Sequence, residues 1–377
     1  MSNLLGVTVA LRVDASLEIG TGHVMRCLAL ANALASAGAT CHFICREHPG
    51  NLIDYLRRQG HVVLTLPATE IYARTFVATP GDVAHATWLG CDWPTDARET
   101  LEALQFIRQA HASIDWLIVD SYALDHRWEE FVHSQCNRIL AIDDLADRLH
   151  VCELLLDQSI GRTPEHYTSL VPPNCVILTG PQFALLRPEF QSHRQKSLQR
   201  RTTPRLPRLL VTMGGVDQPN ATTLAIDALG DCALPKTCEI VIIIGAKSRW
   251  TGAISASAAR LPWKVTLLTN VRNMAELMAL SDLAIGAAGT TALERCCLGL
   301  PSLLVILADN QKSGAYALQT LGAARLLGPP DSIASNLPRE LESLLQGNTL
   351  IQMSKAAESI TDGNGISRVI QRMADLP

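Results

Sequence analysis

Residues 13–27, "VDASLEIGTGHVMRC", decide how this chain folds. They follow the apolar run "LLGVTVAL" (4–11) and open a helix-period segment. An apolar run, a glycine turn and a helix in that order form the first step of a βαβ unit. Gly20 and Gly22 let backbone amides approach a ligand closely, and the helix N-terminus behind them supplies a positive dipole end. His23 stands at the rim of this turn. The turn is not a dinucleotide fingerprint, because the sixth position from Gly20 is Met25 rather than Gly or Ala.

The pattern continues along the chain. Apolar runs predict strands at 6–12, 40–44, 61–66, 115–120, 138–142 and 153–157, with helices at 22–37, 50–59, 96–111 and 125–135. The second half restarts with strands at 208–213, 239–245, 264–268, 282–288 and 301–307, and helices at 219–230, 251–260, 272–281, 290–299 and 311–322. This alternation predicts an α/β protein of two Rossmann-like domains, their parallel sheets facing a central cleft. The expected boundaries are 1–190, a basic linker at 191–208, and 209–377, with a last helix at 362–373 that can pack back on the first domain. The linker reading comes from "SHRQKSLQRRTTPRLPR" (192–208), which has six Lys/Arg, two prolines and no acid. Residues 68–95 fit neither period and read as an irregular insertion.

Bulk properties narrow the function. At 377 residues the chain exceeds one ordinary core, and 47% hydrophobic with 18% charged residues is a globular composition. A net charge of −4 provides no global field for nucleic acid, and no run is long enough to insert in a membrane. The eleven cysteines include no CxxC pair and are irregularly spaced, so they read as buried thiols of a cytoplasmic protein. No metal-ligand spacing is present, and no cofactor is expected.

Two further glycine turns follow strands in the second half. "VTMGGVDQPNATTLA" (211–225) lacks the Lys-Ser/Thr of a P-loop, but its Gly214 and Gly215 suit a phosphate or a sugar. In "GAAGTTALERCCLGLP" (286–301), Gly289, Thr290 and Thr291 precede Glu294. Glu294 has two readings: a capping box with Thr291, or an acceptor for a ribose diol. "LADNQ" (307–311) then places Asn310 and Gln311 at a strand end as neutral sugar donors and acceptors.

"RVDASLEIGTGHVMRCLALA", "IVDSYALD", "TGPQFALLRPEF", "MGGVDQPN", "AAGTTALERCCLGLP" and "LADNQ" occur in this order across almost the whole chain. Together they resemble the UDP-sugar hydrolases of pseudaminic acid biosynthesis. The resemblance implies a cytoplasmic, metal-independent GT-B enzyme related to the GlcNAc transferase of peptidoglycan synthesis. It implies hydrolysis of UDP-2,4-diacetamido-2,4,6-trideoxy-β-L-altropyranose, a small-molecule UDP-sugar, to UDP and the free sugar. Two departures stand out: the long 68–95 region, and Val216 where a small polar residue is commoner.

By resemblance His23 is the catalytic base. The residues themselves leave a packing or capping histidine open, although a helix N-terminus disfavours imidazolium and so suits a neutral acceptor. Tyr122, just past a strand, assists the base or holds the water; an ordinary strand-end tyrosine is the alternative. Asp120 reads as a cap for the segment after it. Arg12 and Asp14 either pair with each other or touch the sugar's acetamido groups. The diphosphate falls to the amides of Gly214 and Gly215 and to the 288–291 turn, and the ribose to Glu294. Uracil falls to backbone near Val271. Arg187 reaches the cleft or forms a hinge salt bridge.

Overall fold

The structure is a computed structural model and describes residues 4–68, 81–203, 206–215, 217–245 and 248–376. Most of the 68–95 expectation before residue 81, and Val216, lie outside the described residues. The chain divides into two compact units, 1–185 with 365–377, and 186–364.

In the first unit the order is β1 (Thr8–Val13), α1 (Gly22–Ser36), β2 (Thr40–Arg46), α2 (Ile53–Arg58), β3 (Val62–Leu66), α3 (Trp93–Ala110), β4 (Trp116–Asp120), α4 (His126–Val132), β5 (Arg138–Ile142), β6 (Leu154–Asp157) and β7 (Val176–Thr179). These strands form one parallel sheet in the order β3-β2-β1-β4-β5-β6-β7. Alternation along β1 explains its two faces. Val9, Leu11 and Val13 pack with α1, whereas Ala10 joins the opposite cluster with α3 and α4. The order reverses between β1 and β4, where Val13 pairs with Asp120. In open parallel sheets, ligands bind beyond the carboxyl ends at such a reversal.

The second unit begins with α5 (Pro188–Arg200) and continues β8 (Arg208–Thr212), α6 (Ala221–Leu229), β9 (Glu239–Ile244), α7 (Thr251–Ala258), β10 (Lys264–Thr269), α8 (Met274–Leu280), β11 (Leu283–Ala287), α9 (Thr291–Cys297), β12 (Ser302–Val305), α10 (Lys312–Thr320), β13 (Ala324–Gly328), α11 (Ile333–Leu344) and α12 (Thr349–Glu358). Its sheet is also parallel, in the order β10-β9-β8-β11-β12-β13, and reverses between β8 and β11. The last helix, α13 (Gly365–Asp375), packs in the first unit's core through Ile366, Val369, Ile370 and Met373.

The basic stretch expected as a linker is largely α5. Two of its arginines cap other helices instead of facing water. Arg194 donates to the carbonyls of Cys297, Glu358 and Thr361, and Arg201 to those of Met278 and Ser281. Guanidinium groups at helix C-termini satisfy the last carbonyls and complement the dipole.

Candidate active site

In the first unit a serine-closed turn sets up the site. Ser16 Oγ accepts from the amides of Glu18 and Ile19, and its carbonyl accepts from Gly20, which sits at φ +80°. Helix α1 then starts at Gly22, so His23 and Arg26 lie three residues apart on one face. That face meets the end of β4. His23 Nδ1 is 2.6 Å from Asp120 Oδ1, while Arg26 donates to both oxygens of Asp120 at 2.7 Å. Arg26 also reaches Asp144 Oδ2 at 2.6 Å, and that oxygen accepts from the Tyr122 hydroxyl at 2.7 Å. The Tyr122 and His23 rings meet edge to face at 4.6 Å.

The charges follow from this packing. Burial raises the Asp120 carboxyl, but Arg26 and His23 outweigh it and hold the group well below the usual carboxylate range. An ionised Asp120 accepts the Nδ1 proton, which leaves Nε2 of His23 as the ring's lone-pair nitrogen. Burial, reinforced by Asp144, drives the Tyr122 phenol well above its ordinary value. Tyr122 is therefore a hydrogen-bond donor that steadies the His23 ring, and its proton is committed to Asp144. About 11% of the His23 side chain stays exposed, enough to meet a water.

Two expectations change here, and one open alternative is narrowed. Asp120 does not cap the segment after β4; it orients His23 from 97 residues away. Arg12 and Asp14 pair with each other, the first of their two expected readings. Arg12 is fully buried, paired with Asp14 at 2.7 Å and Asp96 at 2.5 Å, because its side of β1 packs against α3. Arg46 and the Trp128 indole complete that cluster on Asp96. Gly20 spends its amide inside the turn and is not presented as an anion donor, whereas Gly22 opens α1, where a helix's first amides have no intrahelical partner.

Sequence reasoning passed over Arg26, Asp144, His85 and Trp88. Arg26 at i+3 from His23 was the available signal. Asp144 sits on the loop after β5, and His85 and Trp88 on one short turn before α3, with no periodicity to mark them.

In the second unit both glycine turns follow the strands where the sheet order reverses. Gly214 takes φ +84°, the left-handed region that favours glycine. The positive end of α6 is already occupied, since the Asp217 carboxylate accepts from the amides of Ala221 and Thr222. Among the described residues, an anion seat after β8 thus falls to the Gly214 and Gly215 backbone. After β11, Thr291 Oγ1 accepts from Arg295, so the expected capping box with Glu294 does not form. Glu294 instead lies 3.7 Å from Arg187, which pairs with Glu189 at 2.9 Å. Arg187 is therefore engaged in an ion-pair cluster within this unit.

Burial pushes the Glu294 carboxyl up to about 7, against the opposing pull of Arg187 and Arg295. Gln311 Oε1 accepts from Leu307, and its amide nitrogen lies beside Gly289. Thr290 and Asn310 are exposed and Val271 half-buried. Arg295, also missed from sequence, is fully buried beneath the turn and donates to Ala287 O at 2.7 Å.

Two parallel α/β units, each with its loops gathered where strand order reverses, define the GT-B fold. Residues 208–372 match the glycosyltransferase family 28 C-terminal domain. The chain is 25% identical over 315 residues to UDP-2,4-diacetamido-2,4,6-trideoxy-beta-L-altropyranose hydrolase of Campylobacter jejuni, covering 83% of this chain and 97% of that protein. It is 22% identical over 307 residues to an uncharacterized protein of Methanocaldococcus jannaschii, covering 80% of this chain but only 56% of that longer relative. Acinetobacter baumannii MurG shares the fold at a TM-score of 0.66 and 16% identity, covering 98% of this chain and all of that one (100%). Among the described residues no helix is long and apolar enough to cross a membrane.

Proposed function

We propose that the chain acts on a nucleotide-sugar and hydrolyses UDP-2,4-diacetamido-2,4,6-trideoxy-β-L-altropyranose to UDP and 2,4-diacetamido-2,4,6-trideoxy-L-altrose. The observation that carries this reading is the 2.6 Å pairing of His23 Nδ1 with a buried, ionised Asp120. In this reading Nε2 takes a proton from water as the water oxygen attacks C1 of the sugar. The C1–O bond breaks, and its electron pair leaves with UDP. Asp120 stabilises the imidazolium as it forms, and Arg26 keeps Asp120 ionised. Backbone amides of Gly214, Gly215 and the 289–291 turn meet the charge growing on the diphosphate, each aligned donor worth about 3 kcal/mol. Glu294 accepts from the ribose, Val271 backbone meets uracil, and Asn310 with Gln311 completes the polar lining.

Among the described residues the carboxylates beside His23 that could form a glycosyl-enzyme, Asp120 and Asp144, are both engaged by Arg26. The reading therefore takes the single-displacement course with inversion. In ¹⁸O-water the label enters the free sugar at C1, the first anomer formed is inverted, and UDP is unlabelled. Label in the UDP phosphate overturns this assignment of His23.

A second reading, transfer of the sugar to an acceptor, is favoured by the match to a glycosyltransferase C-terminal domain. Incubation with UDP-sugar and water alone separates the two. Catalytic release of UDP supports hydrolysis, and turnover that requires an acceptor supports transfer.

Glu294→Ala is expected to weaken UDP binding by about 1–3 kcal/mol in titration calorimetry, the value of two lost ribose hydrogen bonds. Its stability signature has a definite sign. A carboxyl raised from its ordinary value to about 7 favours the folded state when protonated, so its contribution is complete below pH ~4.5 and lost as pH rises through 7. Glu294→Gln should therefore melt progressively higher than the wild type as pH rises from about 5 to 8. A uniform loss of melting temperature with intact UDP binding assigns Glu294 to structure instead.

A further inference from the structure

The segment before α3 adds an aromatic wall to the His23 site. A 3₁₀ turn over Ala86–Leu89 buries Ala86 and Leu89 on one side. Residues three apart eclipse in such a turn, so His85 and Trp88 share the other side, with ring centroids 4.3 Å apart. Gly90 ends the turn at φ +74°, where an added Cβ would lie 2.8 Å from the His48 ring. Asp92 then caps α3 by accepting from the Thr95 amide at 3.1 Å. The turn is thus fixed at both ends by buried side chains and by a helix cap.

The two rings continue the row that begins at His23. Trp88 stacks toward Tyr122 at 5.9 Å with an interplanar angle of 29°, and His85 lies 5.6 Å from the same ring. Tyr122 in turn meets His23 at 4.6 Å. His85 and Trp88 are only half-buried, and beyond the backbone bond from the Trp88 amide to the His85 carbonyl neither side chain has a hydrogen-bond partner among the described residues. A row of aromatic faces carrying unused N–H and ring-nitrogen groups matches the surface of a sugar whose ring C–H groups are apolar and whose substituents are amides. A fully hydroxylated hexose gains less there, because its hydroxyls lose water against apolar faces.

We propose that Trp88 and His85 form the wall on which the sugar of the nucleotide-sugar rests, and that they select N-acylated deoxyhexoses over fully hydroxylated ones. This rests on the function proposed above. Trp88 covers the C–H face and the sugar's methyl group, while His85 hydrogen-bonds an acetamido group. Both are contact residues for the sugar and take no part in binding UDP.

The test is equilibrium binding in a His23→Asn background, where substrate is not consumed, with UDP, UDP-glucose and UDP-2,4-diacetamido-2,4,6-trideoxy-β-L-altropyranose as ligands. Trp88→Ala should weaken the diacetamido ligand by at least about fivefold. UDP should be unchanged, UDP-glucose should move less, and Trp88→Phe should retain most of the affinity. His85→Ala should give a smaller loss with the same selectivity. Equal loss for UDP and the UDP-sugar in Trp88→Ala means a general structural defect and overturns the wall, as does undiminished binding of the diacetamido ligand. If the His23→Asn protein binds none of the three ligands, the proposed function fails and the wall falls with it.

Discussion

Replacing His23 with asparagine is expected to lower kcat by about 10³-fold or more while leaving UDP affinity within a few fold. General-base catalysis by a positioned imidazole contributes about 10²–10⁴-fold. Here the same group also sets the direction of attack, so the loss falls toward the upper part of that range. Asparagine keeps a polar side chain near Asp120 and Arg26, which limits disturbance of the buried charges, but it has no nitrogen lone pair to receive a proton. UDP affinity should survive because the residues assigned to UDP, Gly214, Gly215 and Glu294, belong to the second unit, whereas His23 belongs to the first. Paired measurements of initial rate and UDP binding check this. Loss of UDP binding in a folded variant ends the division of labour, and retained turnover ends the role of His23.

The residues that carry this prediction were unequally legible. The β1-turn-α1 step could be read because an apolar run, two glycines and a helical period are local signals. His23 directly follows the second of these glycines. Asp120 was visible as a strand-end residue, but its partner was not. The pairing depends on β1 and β4 lying side by side, with Val13 beside Asp120, and no local period encodes which strands become neighbours. Arg12 kept two readings for a related reason: its pairing with Asp14 is local, but α3 bringing Asp96 against it is not.

Among the elements, β7 and β13 are short edge strands with half-buried residues, a pattern weak in alternation. Helix α11 contains Pro338, which a sequence reading takes as a break. The proline falls within the helix, between the buried Leu337 and Leu341 that anchor its apolar face. Helix α5 was hidden by its charge: a run of arginines looks solvated until the carbonyls they satisfy are known. In the second unit the glycine turns were legible as turns. The use of Asp217 to close α6, and the burial of Arg295 under the second turn, depend on side-chain directions that spacing alone does not give.

Asp120→Asn should cost nearly as much as the loss of His23 itself, about 10²–10⁴-fold in kcat, with the fold retained. The reason is the proton on the imidazole. Asp120 accepts from Nδ1–H, which leaves Nε2 free to take a proton from water. An asparagine that keeps its carbonyl oxygen toward Arg26 presents its NH₂ to the ring. Nδ1 then accepts a hydrogen bond, the ring proton moves to Nε2, and the base is lost although every heavy atom stays in place. In a Ser-His-Asp triad the same change acts through the wrong tautomer and costs about 10⁴-fold. The substitution also removes the negative charge that stabilises the imidazolium as it forms.

A merely structural role for Asp120 makes a different forecast. Arg26 would lose one of its two carboxylates, the cluster around Asp144 would loosen, and melting temperature and UDP binding would fall together with activity. The catalytic reading predicts that UDP binding and circular dichroism stay near wild type while kcat collapses. It further predicts that Asp120→Glu, which restores an acceptor at a shifted distance, recovers part of the rate. The ring nitrogens provide a readout independent of turnover. Nitrogen-15 NMR of His23 should show the proton on Nδ1 in the wild type and on Nε2 in Asp120→Asn. A variant that keeps its proton on Nδ1 and still loses activity removes Asp120 from the mechanism and returns it to the framework of the fold.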